Sequence, residues 1–262
     1  MMRKEFTLSS EELSFALAIC QHDVLASSIL KESVGDVNEE GIELIFQTAS
    51  RSLFTKGILL KLKEGHPDNA FTEGFSELLH DLATSNNMFR AYNENENGQF
   101  VLTAHSSRNG FIFHLVSNQV VHVLCEMELD ELMEEVTAFF QPQFTNWDSM
   151  QFPVKEKHFE ELIRSIQLKE KINFGLAADQ FANDFHENNG NIVNFSLIRT
   201  EDEGIPHFLE VVMLLVGKER IWAIKEEKLE VEKNIIIKTL HKVEWQQLLE
   251  TTLSRVVTSK IS

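Results

Sequence analysis

The chain has 262 residues, 43% hydrophobic and 25% charged, with 20 Phe against 3 Trp and 1 Tyr. That apolar share supports one large core or two packed halves. Lys and Arg number 24 against 41 Asp and Glu, a formal charge of −17, which repels phosphate backbones and anionic lipid and argues against nucleic acid or a membrane as partner.

The first predicted element is a helix opened by Ser9-Ser10-Glu11-Glu12, a capping-box signature, with Leu13, Leu17 and Cys20 along one face. After Gly35 a second helix carries Ile42, Ile45, Phe46, Ala49 and Leu53 and closes at Lys56-Gly57. Residues 61–69 read as a loop, and a third helix carries Phe71, Phe75, Leu78, Leu79 and Leu82. Four strands follow, near 88–94, 99–105, 111–116 and 120–125, with Asn97-Gly98 as the first hairpin turn. If the last turn, at Ser117-Asn118, is a two-residue loop, His114 faces Val121 and points away from His122, so the two cannot share a metal. A helix with Leu129, Leu132, Met133, Val136 and Phe140 ends this stretch.

Residues 141–152, followed by Pro153, read as a linker. Helices are expected around Phe159, Leu162 and Ile166, and around Ala178, Phe181 and Phe185, the latter broken by Asn188-Asn189-Gly190-Asn191. Strands are expected at 192–199, 207–216, 220–226 and 231–239, then a final helix with Trp245, Leu248, Leu249, Leu253 and Val256. In the second of these strands Phe208, Val212 and Leu214 lie on one face; Leu209, Val211, Met213 and Leu215 lie on the other. A strand apolar on both faces calls for helices on both.

The order helix, four strands, helix therefore occurs twice, over 71–140 and 176–256. The predicted fold is α+β: a pseudo-two-fold duplicated helix–antiparallel four-strand meander–helix unit, its sheet flanked by helices. The expected division is 1–140 as N-terminal half, 141–153 as linker and 154–262 as C-terminal half, packed as one compact domain.

No pattern of a catalytic site stands out. Asn93-Glu94-Asn95-Glu96-Asn97-Gly98 has the spacing of a calcium loop, but Asn93 stands at the first position and Ala104 at the twelfth, where carboxylates are needed. Asp184, His186 and Glu187 lack a metal-ligand spacing, and the glycines and serines form no phosphate loop or nucleophile elbow. The expectation is a protein that is not an enzyme and has no cofactor and no metal. Cys20 and Cys125 read as small buried residues of a reducing compartment. No run approaches the ~20 apolar residues of a membrane span, so the expected location is the cytoplasm.

Leu8-Ser9-Ser10-Glu11-Glu12-Leu13, then Ser52-Leu53-Phe54-Thr55-Lys56-Gly57-Ile58-Leu59, His66-Pro67-Asp68 and Leu78-Leu79-His80-Asp81-Leu82-Ala83, in that order and followed by the meander, resemble the EspG-like chaperones of type VII (ESX) secretion. The resemblance covers most of the chain and implies a cytosolic chaperone or adaptor that covers the apolar tip of a helical secreted substrate. Burying each apolar side chain of such a tip contributes ~1.5–3 kcal/mol, against several kcal/mol of lost freedom on association. The covering surface would be a sheet face and its adjoining loop, with Arg108, Asn109, Phe111 and Phe113 as candidate contacts. The resemblance supplies no site residue of its own. The competing reading is an acidic immunity protein that binds and neutralises a basic toxin; a third is a scaffold whose halves only pack together. A monomer or weak dimer is expected.

Overall fold

A computed structural model describes residues 4–61, 70–95, 97–145, 148–170, 175–201, 205–228 and 233–258. Among them the order is β1 (Glu5–Ser9), α1 (Ser10–Ile19), α2 (Asp23–Val34), α3 (Glu39–Thr55), α4 (Phe75–Thr84), β2 (Asn87–Asn95), β3 (Gly98–Ser107), β4 (Gly110–Ser117), β5 (Val121–Met127) and α5 (Leu129–Phe140). Then come β6 (Gln151–Lys155), α6 (Glu156–Gln167), α7 (Leu176–Glu187), β7 (Val193–Thr200), β8 (Pro206–Val216), β9 (Ile221–Lys228), β10 (Lys233–Leu240) and α8 (Lys242–Thr258). The fold is α+β with antiparallel ladders, and helix–four strands–helix recurs as α4 to α5 and as α7 to α8. Two compact units result: Met1–Met88, Glu94–Leu132 and Val256–Ser262 form the first, and Phe89–Asn93 with Met133–Arg255 the second.

In the first unit the strand order is β1-β5-β4-β3. One sheet face carries Phe6, Leu8, Ile112 and Leu124, packed in a single cluster with Leu13 and Leu17 of α1 and Phe75, Leu78 and Leu79 of α4. The capping box forms as read: Ser9 Oγ accepts from the Glu12 N–H (3.3 Å) and Glu12 Oε2 accepts from the Ser9 N–H (2.7 Å). Glu12 also binds Lys56 Nζ at 2.7 Å and Ser52 Oγ at 2.6 Å, which ties α1 to the end of α3. Burial pushes this carboxyl up, but those partners outweigh it and hold the group below its ordinary value.

Several local expectations change. Residues 5–9 form an edge strand, with Phe6 and Leu8 turned inward. Gln21 at φ 64° breaks the first helix, and α2 follows it. Phe71 precedes α4 and bridges to Leu59 instead of joining the helix. The 61–69 loop, with His66-Pro67-Asp68, falls mostly outside the described residues, as does Glu96 beside the Asn97-Gly98 turn.

In the second unit the order is β2-β7-β8-β9-β10-β6. The stretch read as a linker ends in β6, which pairs with β10 from Gln151↔Lys238 to Lys155↔Asn234. Phe152, Val154, Leu215, Trp222, Ile224 and Ile237 pack beneath Leu162 and Ile166 of α6 and Phe181 and Phe185 of α7. Elsewhere in the unit Phe140 of α5 meets Trp245 of α8 edge-on at 6.0 Å, and Trp245 Nε1 donates to Thr137 Oγ1 at 2.9 Å. A buried indole keeps its packing benefit only when its N–H finds such a partner.

Candidate partner-binding surface

The four residues singled out from sequence sit at the β3–β4 turn of the first unit. Arg108 and Asn109 are exposed there. The Arg108 N–H donates to Asp81 Oδ2 at 3.3 Å and the Asn109 N–H to Ser107 Oγ at 3.2 Å, so two side chains shape the turn. Gly110 follows at φ +129°, where an added Cβ would lie 2.7 Å from the Met127 carbonyl oxygen. Phe111 and Phe113 are 3% and 4% exposed. They pack behind the turn, and Arg108 and Asn109 are the pair it shows to solvent.

A larger apolar surface lies in the second unit, on β8. Val212, Leu214 and Leu215 are fully covered, whereas Ile205, Phe208, Leu209 and Val211 are 51%, 61%, 40% and 45% exposed. Helices on both faces were the expectation; that cover stops at Val212. Register explains the rest. Opposite β7 the pairing runs Leu197↔Glu210 and then Ile198↔Phe208, a bulge that leaves Leu209 extra. One extra residue inverts the alternation, so Phe208 joins the face of Val211 rather than that of Val212. The β8–β9 ladder also ends near this point, at Val212↔Lys225, although β8 reaches back to Pro206 and β9 on to Lys228.

The two strands thus diverge around a gap of about 560 Å³ lined by Phe208, Leu209, Glu210, Val211, Lys225, Glu226 and Arg255. The Glu210 side chain, 9% exposed, takes both Lys225 and Arg255 as ion-pair partners. A buried carboxylate needs such partners to offset its lost hydration. Beside the gap a groove of about 680 Å³ runs between α8, at Leu248 and Thr251, and the strand residues Val212, Ala223, Ile236 and Phe152. Sequence alone flagged this strand as apolar on both faces, but nothing in it marks the bulge.

The first unit also holds a row of histidines on the face of β3–β5 that carries Ile112 and Leu124. The turn after β4 holds three residues, since Ser117 pairs with Val121 and Asn118 and Gln119 take φ 51° and 60°. This overturns the two-residue loop: His114 now faces Leu124, and His122 shares its face. His114 Nε2 lies 2.8 Å from His122 Nδ1, and His122 Nε2 lies 2.9 Å from Ser10 Oγ, which donates to the Gln119 carbonyl at 2.9 Å. His105 Nε2 meets Thr103 Oγ1 at 3.0 Å.

Burial pushes His105 down to about 4, and it does the same to His122, slightly opposed by Glu11. His114 is driven well below 6.5 by burial first and then by its neighbours His122 and His105. The three are therefore neutral at ordinary pH. A serine, a histidine and a third group in series have the outline of a nucleophile relay. Here Ser10 is 1% exposed and its proton is committed to a carbonyl, so the chain pins the start of α1 to β5.

Asn93, at the head of the calcium-like run, lies in β2 and donates to the Phe139 carbonyl at 3.0 Å. Asp184 instead accepts from Trp222 Nε1 at 2.7 Å and from Gln180 Nε2 at 2.9 Å and meets Arg220 Nε at 3.3 Å. Among the described residues no group of three or more His, Cys, Asp or Glu is placed to hold a metal. None of the described helices is long and apolar enough to cross a membrane.

Fold and surface together define an α+β protein with an uncovered apolar strand segment. Its fold is similar to that of a chaperone of the type VII secretion system of Mycobacterium tuberculosis, EspG5, solved in complex with a PE25-PPE41 dimer. The TM-score is 0.62 at 11% identity, over 97% of this chain and 95% of that one. The chain belongs to the family described as "Uncharacterised protein YfjC", whose model matches residues 5–249. No curated protein matches the sequence.

Proposed function

We propose that this protein is a chaperone-like adaptor that covers an apolar surface of a helical protein substrate of a type VII-like secretion system and keeps it soluble for export. The observation that carries the reading is the uncovered end of β8, where Phe208, Leu209 and Val211 stand 61%, 40% and 45% exposed. That is apolar surface a soluble strand normally buries, and a surface of this kind favours a polypeptide partner. The likeness in fold to EspG5, a secretion chaperone captured with a protein dimer, supports the same class of partner. The β3–β4 turn is proposed as a separate polar contact, made by Arg108 and Asn109 with Phe111 and Phe113 bracing it from the core. Its action is binding, not catalysis, and its proposed place is the cytoplasm.

The test is to isolate the tagged chain from the cell that encodes it after cross-linking. A long helical protein should be recovered, and that protein should aggregate or stay in the cell when this chain is deleted. The charge of −17 favours one other outcome, an acidic immunity protein. In that case the recovered partner is a basic toxin, and the chain restores growth of cells that express it. Recovery of the toxin, or unchanged solubility of the helical partner, defeats the adaptor reading.

A further inference from the structure

Among the described residues, both outer strands of the sheet order, β1 and β6, are guarded. β1 bonds to β5 on one side, and at its other side Lys56 Nζ binds the Thr7 carbonyl at 3.1 Å. β6 bonds to β10 on one side and carries Pro153, which has no N–H to offer. A lysine and a proline on outer strands are common means of preventing further pairing. Where β8 diverges from β9, the described residues of β8 include no lysine and no proline beyond the first position. Among the described residues, Glu210 and Val211 have ladder partners on β7 and none on β9, although Glu226 and Glu227 continue β9 beside them. Pro206 stands only at the first position of β8.

We propose that this fork takes a short extended segment of the partner polypeptide, which adds a strand along residues 206–211 of β8. The inference rests on the adaptor reading and gives the partner a second recognition element, an unfolded apolar segment besides its helices. Three observations specify the occupant. Backbone without a ladder partner on one side, as at Glu210 and Val211, selects another extended backbone, as in strand addition to a sheet. The side chains beside them, Phe208, Leu209 and Val211, are apolar and exposed, so alternate apolar residues of the guest find cover. On the β9 side Lys225 is engaged by Glu210 and Glu227 is exposed, so a basic flank on the guest meets an acidic neighbour.

A second copy of the chain fits less well. Its own β8 is already bonded to β7 and would bring a whole sheet into a gap of about 560 Å³ walled by β8 and β9. A lone segment of about six residues matches the roughly 20 Å that six strand residues span.

The full-length protein is mixed with the peptide Lys-Val-Thr-Val-Thr-Val-Lys, fluorescein-labelled for anisotropy, and amide hydrogen exchange is followed by mass spectrometry. Exchange through 206–211 should slow by about tenfold or more at saturation, with 212–216 unchanged. N-methylation of alternate peptide nitrogens, in one of the two registers, should weaken binding by about tenfold or more. V211K and F208K should each lower affinity by a similar factor, and their circular dichroism spectra report whether they remain folded. Equal binding of both N-methylated peptides, or no slowing at 206–211, overturns the inference. So does equal protection of 206–211 by a helical peptide of matched composition. Failure of the adaptor reading looks different: the strand peptide protects β8, yet no helical substrate is recovered from cells. Conversely, a recovered substrate whose exchange footprint avoids 206–211 keeps the adaptor activity but moves its contact off β8, and removes this inference.

Discussion

The histidine row makes stability depend on pH in a range where few other groups contribute. His105 and His122 drop from 6.5 in the unfolded chain to about 4 in the fold, and His114 is driven well below 6.5 by burial and by its two neighbours. A histidine depressed in this way takes its proton in the unfolded chain first. The stability it permits is complete above pH 6.5 and is lost as pH falls from 6.5 towards 4. For His105 and His122 the full loss is roughly 3 kcal/mol each, against ~5–15 kcal/mol for a whole domain. Three such groups give a slope of up to about 4 kcal/mol per pH unit near pH 5. His22, lowered by burial and by His80, adds to it in the same direction. Glu12 and Glu244 are held below 4.5 and act only at lower pH, so they leave the window from 5 to 6.5 clear.

The assay is urea unfolding followed by circular dichroism at steps between pH 7.5 and 5. Fluorescence is the wrong probe, because among the described residues Tyr92, Trp222 and Trp245 fall within the second unit. H105Q should reduce the slope by about 1.4 kcal/mol per pH unit even if it costs stability at every pH. Should H105Q fail to fold, the ring-proton resonances of the native protein still decide the matter: three histidines should stay neutral through pH 5. A stability that is flat between pH 7 and 5 would refute the argument.

Replacing Asp184 with Ala removes the acceptor of the Trp222 N–H and the partner of Arg220. A cost of about 3–5 kcal/mol is expected, read as a shift of the urea midpoint by Trp fluorescence. Ser9→Ala deletes half of the capping box and should cost about 1 kcal/mol, measured by circular dichroism. Phe181 is fully buried between Phe152 and Trp222, so Phe181→Ala should cost about 3–5 kcal/mol in the same denaturation assay. Phe208→Lys, at 61% exposure, should change the midpoint by less than about 0.5 kcal/mol while abolishing partner recovery.

Periodicity carried most of the architecture. The Phe75, Leu78, Leu79 and Leu82 stripe, the Phe181 and Phe185 pair and the Ser9–Glu12 cap became the elements they suggested, because each signal is local. What failed depends on register or on distant cover. A three-residue turn after Ser117 requires positive φ at Asn118 and Gln119, and glutamine does not advertise it. The odd shift turned His122 onto the face of His114. Likewise the apolar run of β8 looked doubly covered, since alternation records which way a side chain points and not whether a helix reaches it. The bulge at Leu209 then moved Phe208 across the strand. The candidate surface arose from those two non-local effects. Arg108 and Asn109 were legible as an exposed turn, and Phe111 and Phe113, which carry no polar group, were legible as core, where they lie.

The bonded series through His114, His122 and Ser10 has a fixed polarity. A carbonyl can only accept, so when Ser10 gives its single proton to the Gln119 oxygen at 2.9 Å or the Val120 oxygen at 3.3 Å, it accepts from His122 Nε2–H. That leaves His122 Nδ1 bare to receive His114 Nε2–H. With the Ser10 proton on a carbonyl of this turn, both imidazoles carry the same Nε2–H tautomer. A proton arriving at His122 Nδ1 would set two donors head to head, and the β4–β5 hairpin would lose its hold on the first helix.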